Sequence, residues 1–96
     1  MQYEGLMVLV RSYSAGVFAG SLREQRIDGS GKMIVVLDQS RRLWRWVAVS
    51  GAALSGVAVS GIRASESIVD TAVDGHTVAE VIEIIPLTEA AVRTLP

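Results

Sequence analysis

Leu6-Met7-Val8-Leu9-Val10 is an unbroken apolar run, bounded by Gly5 on one side and by Arg11-Ser12 on the other. A run this short suits a strand covered on both faces better than a helix, and it is read as the first and central strand. Tyr13-Ser14-Ala15-Gly16 supplies turn chemistry, with Gly16 free to take positive φ. Val17 to Arg26 forms a second extended segment. On it Val17, Ala19 and Ser21 share one face and Phe18, Gly20 and Leu22 the other, while Arg23-Glu24-Gln25-Arg26 is polar on both and projects into solvent. Asp28-Gly29-Ser30-Gly31 is the clearest turn in the chain and makes a hairpin with a third strand that opens at Met33 to Leu37. Asp38-Gln39-Ser40 predicts a bulge or tight bend, after which the chain runs extended again from Arg41 to Val47. Three antiparallel strands and two hairpins therefore account for the first half.

From Trp46 to Ile62 there are seventeen residues without a charge. Three serines and three glycines interrupt the stretch, its length is at the lower limit for a membrane span, and no basic cluster follows. A short soluble helix fits better. Ser50 caps it, Leu54, Val57 and Ala58 share one face, and Gly61 ends it. Its small residues suit close approach to a sheet or to a neighbouring subunit. Ser65 to Val73 is a weaker segment carrying Ile68, Val69 and Val73, and Asp74-Gly75 reads as a turn. Val78 to Leu87 is the second strongly apolar stretch, with Pro86 where a strand should end. There Ile82 and Ile84 share a face with Glu80, and Val81 and Ile85 share the other with Glu83. A buried Glu83 would need a cationic partner, and an arginine of the 41–45 run is the natural candidate. Thr88 caps a closing helix from Glu89 to Leu95, with Glu89 in its first turn and Arg93 in its last.

These elements predict an α+β domain spanning residues 1–96 as a single unit. Its antiparallel sheet of about five strands is strongly curved or partly closed, with one short internal helix and one at the C-terminus. An open sheet of this size would expose hydrophobic edges, so closure or subunit pairing is expected. Half the residues are apolar but only 5% are aromatic, which agrees with a β-branched core. The absence of cysteine removes disulfides, thiolate nucleophiles and most structural zinc sites. No basic segment or cleavage pattern of a secretory signal opens the sequence.

Charge changes the picture more than composition does. Residues 11–45 carry seven basic and three acidic side chains, whereas residues 46–96 carry two basic and six acidic. Either the halves neutralise one another, inside the fold or across a subunit interface, or the first half presents a basic face to an anionic ligand. Catalytic chemistry finds little support. The lone His76 sits beside Gly75 as a solvated turn residue, without a nucleophile elbow, and Asp70 and Asp74 assemble no metal set with it. The Asp28-Gly29-Ser30-Gly31-Lys32 loop lacks the spacing and the hydroxyl residue of a phosphate-binding loop. No cofactor or metal is expected, and the reading is non-enzymatic.

Arg41-Arg42-Leu43-Trp44-Arg45-Trp46 gathers both tryptophans and three of the eight arginines within six residues. On an extended chain Arg42, Trp44 and Trp46 share one face, and Arg41, Leu43 and Arg45 the other. Such a surface can stack a base, grip phosphates or serve as a protein-interface hot spot. Equally, the tryptophans can cover the core while the arginines neutralise Glu80, Glu83 and Glu66. Net negative charge and the lack of a recognition-helix motif argue against direct DNA binding.

Val10-Arg11-Ser12-Tyr13-Ser14-Ala15-Gly16-Val17 with Gly20, the Arg41–Trp46 run, the small-residue helix with Leu54 and Gly61, and Glu83-Ile84-Ile85-Pro86 with Thr88-Glu89-Ala90-Ala91 resemble a family of small uncharacterised proteins of tailed phages and prophages. Arg45 stands where that pattern has an aromatic between the tryptophans. The resemblance implies a phage origin and the host cytoplasm, and no activity. Two functions are expected from the whole. The first is a phage accessory or structural protein that forms a homo-oligomer through its Arg/Trp and small-residue surfaces, basic half to acidic half. The second is a module that sequesters an anionic small ligand, such as a host nucleotide signal, through Arg11, Tyr13, Arg42 and Trp44.

Overall fold

The structure, a computed structural model, describes residues 3–51 and 53–96, so Met1, Gln2 and Ala52 lie outside it. Its strands are β1 (Met7–Ser12), β2 (Gly16–Ile27), β3 (Met33–Arg45), β4 (Ile68–Val69) and β5 (His76–Pro86); α1 (Leu54–Ser60) and α2 (Glu89–Val92) are its helices. All pairings are antiparallel. β1 lies between β2 and β5, and β3 also pairs with both β2 and β5, so four strands close on themselves while β4 is added to the far end of β3. The expected partly closed α+β sheet is the observed one, as a ring of hydrogen bonds that does not make a regular barrel.

Shifts in register bend the strands enough to close so small a ring. β2 and β3 pass from Ala19↔Arg41 to Ser21↔Asp38, which leaves an extra residue on β3, and Gln39 there has φ 50°. β3 and β5 pass from Met33↔Val81 to Val35↔Val78, and Glu80 in the longer segment has φ 54°. Bulges of this kind increase local twist, and a left-handed non-glycine residue costs about 1–2 kcal/mol. Gly20 makes room for the first of them, because a Cβ there would stand 3.0 Å from the carbonyl oxygen of Asp38. The bend expected at 38–40 is therefore this bulge.

Two cores result. Val8 and Val10 of β1, Phe18 and Leu22 of β2, Val35 and Leu37 of β3, and Val78 and Val81 of β5 pack together within the ring. Leu9, Val17, Ala19 and Leu43, on the opposite strand faces, pack against Val57 and Ala58 of α1 and against Ile62. This is why β1 reads as continuously apolar: it is buried on both sides.

The helices differ from expectation in detail. α1 begins after Ala53, without a side-chain cap, and Ser50 is instead strapped to the helix end by Ser60 Oγ, which bonds Ser50 N and O at 3.1 Å each. The chain at Ser50 is occupied by a return from the Ala48↔Ile62 bridge, so the helix starts later than its best cap. The small residues serve the chain's own packing, since a Cβ on Gly56 would meet Ser50 O at 2.7 Å and one on Gly61 would strike Thr94. Thr88 caps α2 as expected, accepting from Ala91 N at 3.1 Å, but the helix ends at Val92 because Thr94 N bonds back only to Ala91 O. The weak segment after Ser65 contributes a single turn at Ala64–Glu66 and the two-residue β4.

Candidate functional site

The C-terminal half of β3 carries a connected series of side chains from the ring interior to solvent. Phe18 is fully buried, and His76 meets it edge-on at 5.0 Å with Nδ1 2.9 Å from Ser40 Oγ. Arg42 is directly across the sheet from Phe18, and its guanidinium lies 4.9 Å from that ring's centroid and 4.8 Å from that of Trp44. Each such cation–π contact is worth about 0.5–2 kcal/mol. Trp44 is 60% exposed, yet its Nε1 donates to Asp70 Oδ2 at 3.1 Å, and Asp70 Oδ1 accepts from Thr71 N at 3.2 Å. The rim is thus a stacked cation and an indole held from behind, beside the exposed Ile68.

Trp46 does not share this face. β3 and β4 pair Leu43↔Val69 and then Arg45↔Ile68, which makes Trp44 an extra residue and breaks the simple alternation. Trp46 follows the end of the strand and packs with Leu54 and Leu95 against the second core. Of the two tryptophans, one therefore covers the core and the other faces solvent.

The ion pairs also differ from those expected. Glu83 is not buried, and its partner is Arg11, directly opposite on β1, at 3.1 Å. Glu80 accepts from Lys32 at 3.2 Å and from Ser14 Oγ at 2.7 Å, and Glu66 lies 3.8 Å from Arg63. None of these carboxylates is neutralised by the 41–45 run, because β5 pairs with β3 through residues 33–37 and leaves that run to β2 and β4. Arg41 donates to Gln39 O at 3.2 Å, and Arg45 is exposed at the strand's end. Among the described residues, neither Arg42 nor Arg45 has a carboxylate at ion-pair distance. Arg11–Glu83 and Lys32–Glu80 join the basic half to the acidic half within one chain, as exposed pairs worth about 0.2–1 kcal/mol each.

Arg11, Tyr13, Arg42 and Trp44 do not converge. Arg11 lines a groove with Trp46, Leu54 and Glu83, whereas Tyr13 lines another with Ile27, Met33 and Ile82. The residues that do complete the rim are Phe18, Ser40, Asp70 and His76. Nothing local marks them, since their partners lie far along the chain. His76 begins a strand and is bonded, where a solvated turn residue was expected.

A carboxylate clamp braces the same region. Arg23 is paired with Asp38, Gly75 N donates to Asp38 Oδ1 at 3.0 Å, and Gln39 N donates to Asp74 Oδ1 at 2.9 Å, which ties the β3 bulge to the turn before β5. The hydrogen bond from Arg23, then that from Gly75, holds the Asp38 pKa below its usual 3.8. Glu80 is lowered by Ser14 and Lys32, and Asp28 by the Ser30 hydroxyl and by backbone N–H groups of Lys32 and Ser30. A depressed carboxylate contributes stability that is present above its unfolded pKa and lost as pH falls through its folded one. The melting temperature should therefore hold from neutral pH to about pH 5 and decline below about pH 4. Asp38→Asn should flatten that decline, and parallel Tm-against-pH curves for variant and wild type would show that Asp38 contributes none of it.

Fold and rim together define a small α+β domain whose self-closing antiparallel sheet presents a cationic–aromatic surface. Residues 5–95 match the family described as a domain of unknown function (DUF6948), and the chain belongs to that family. Comparison with curated proteins and with solved structures gives no match. Among the described residues, no helix is long and apolar enough to cross a membrane.

Proposed function

We propose that this domain is a non-enzymatic accessory or structural protein of a tailed phage or prophage, acting in the host cytoplasm as a homo-oligomer that associates through the Arg42–Trp44 rim. The observation that carries the reading is a tryptophan 60% exposed and yet fixed by both a stacked guanidinium and a hydrogen bond. A side chain ordered before binding loses little entropy on contact, and Trp and Arg are the residues on which interface energy concentrates. Asp70 and Arg45 flank the same surface, so polar groups border the indole as they border the apolar centre of an interface. Arg42 and Trp44 themselves line neither the groove at Tyr13 nor the one at Arg11. The former, a groove of about 520 Å³, is lined by Tyr13, Lys32 and Glu80, whereas small ligands are ordinarily enclosed in concave sites. This favours a protein surface over a nucleotide signal, although the guanidinium of Arg42 keeps donors free for an anion.

Sedimentation equilibrium at micromolar concentration should give a defined multimer. Trp44→Ala should weaken it by about 30-fold or more in Kd, the equivalent of a 2 kcal/mol hot spot, with an unchanged far-UV spectrum. A wild-type protein that sediments as a clean monomer removes the proposal.

A further inference from the structure

The geometry points to a counter-surface for the rim: Trp44 of one copy seats in the groove between Tyr13, Ile27, Met33 and Ile82 of a second copy. The inference rests on the self-association proposed above and names its missing half.

Three of the most exposed large apolar side chains of the domain, Tyr13 at 79%, Ile27 at 59% and Ile82 at 54%, line this one groove. Single exposed apolar residues are ordinary on a protein surface, but three converging on a concavity of about 520 Å³ make a receptor for an apolar group. The walls are fixed by the fold. Ile82 is the residue by which β5 exceeds β1 where Arg11↔Glu83 gives way to Ser12↔Val81, and so it is turned out of the ladder. Tyr13 is anchored by its backbone N–H to Glu80 O at 2.9 Å.

Charge selects the occupant. Lys32 and Glu80 face each other at the groove at 3.2 Å, and Asp28, on the loop that supplies Gly31 and Lys32, accepts from the Lys32 backbone N–H at 3.0 Å. Two carboxylates therefore accompany one ammonium. Trp44 stands between Arg42 and Arg45, neither of which has a carboxylate partner among the described residues, and with Asp70 on its Nε1 the knob still carries two positive charges to one negative. A cationic knob and an apolar groove with an acidic border are complementary, and the chain carries both. Rim against rim would instead set Arg42 and Arg45 of two copies close together.

Complementation tests this. Trp44→Ala lacks the knob and Ile82→Glu lacks the groove, and both positions are exposed, so both chains should fold. Each variant alone should sediment as a monomer, while an equimolar mixture should recover a dimer through the one contact that is intact, with an apparent Kd at least tenfold tighter than either variant alone. If Ile82→Glu lowers the far-UV signal, Ile27→Glu on the same groove replaces it. A groove variant that keeps the wild-type mass, or a mixture that stays monomeric, overturns the knob-in-groove contact and leaves association through Trp44 standing. A multimer that survives Trp44→Ala, or a monomeric wild type, overturns both.

Discussion

Phe18→Ala is expected to lower the unfolding free energy by about 3–5 kcal/mol, the usual cost of emptying a buried aromatic site. Phe18 is fully buried in the first core, to which all four ring strands contribute. A closed ring has little freedom to collapse into the space, because each strand is held on both sides. A domain of this length is stable by roughly 5–14 kcal/mol, so the loss takes about a fifth of the total at the least and most of it at the other end of the range. Urea denaturation measures it directly, and the accompanying fall in Tm should be about 15–30 °C. Phe18→Leu, which keeps most of the volume, should cost under about 2 kcal/mol. The aromatic ring also carries Arg42 on its face, so the alanine variant should loosen Trp44 and red-shift its fluorescence. An alanine variant that loses less than about 1 kcal/mol would contradict the packing described for the ring interior.

Gly61→Ala should cost about 2–4 kcal/mol, although it adds only one methyl group. Gly61 has φ 87°, a conformation that costs an L-residue about 1–2 kcal/mol. A Cβ there would also come within 2.6 Å of Thr94 Cγ2. Thr94 cannot move aside freely, because its Oγ1 accepts from Ile62 N at 2.9 Å and donates to Ala91 O at 2.6 Å. A double-mutant cycle separates the two contributions. In a Thr94→Ala background the steric part disappears, so Gly61→Ala should then cost only the backbone part. Equal costs in the two backgrounds would place the whole effect in the backbone.

What could be read from residue order and what could not divide along a physical line. The apolar run of β1, the Asp28-Gly29 hairpin, the bend at Gln39 and the Thr88 cap depend on neighbours a few residues away, and all four occur. The partner of Glu83 depends on which strand lies beside β5 at that level. Arg11 wins over Arg41, Arg42 and Arg45 because β3 departs from β5 after residue 37. The face taken by Trp46 depends on one unpaired residue at Trp44, which alternation along a single strand cannot reveal. The rim itself was half legible: Arg42 and Trp44 stand out in the chain, but Phe18, Ser40, Asp70 and His76 join them only through register. The small-residue stretch around Gly56 and Gly61 was legible as a close-packing element, and its partners prove to be Ser50 and Thr94 of the same chain.

The ring has a consequence for how the protein is made. Val8 of β1 lies opposite Pro86 of β5, so the pairing that closes the sheet joins two strands far apart in the order of synthesis. Until β5 emerges, a nascent chain can form the β1–β2–β3 meander with β4 and α1 added to it, but the β5-facing edge of its most apolar strand stays bare. At ordinary elongation rates that interval is on the order of seconds, long enough for one unfinished chain to meet another on a crowded polysome. The same edge that makes the finished domain self-contained is, during translation, open to pairing with another unfinished chain.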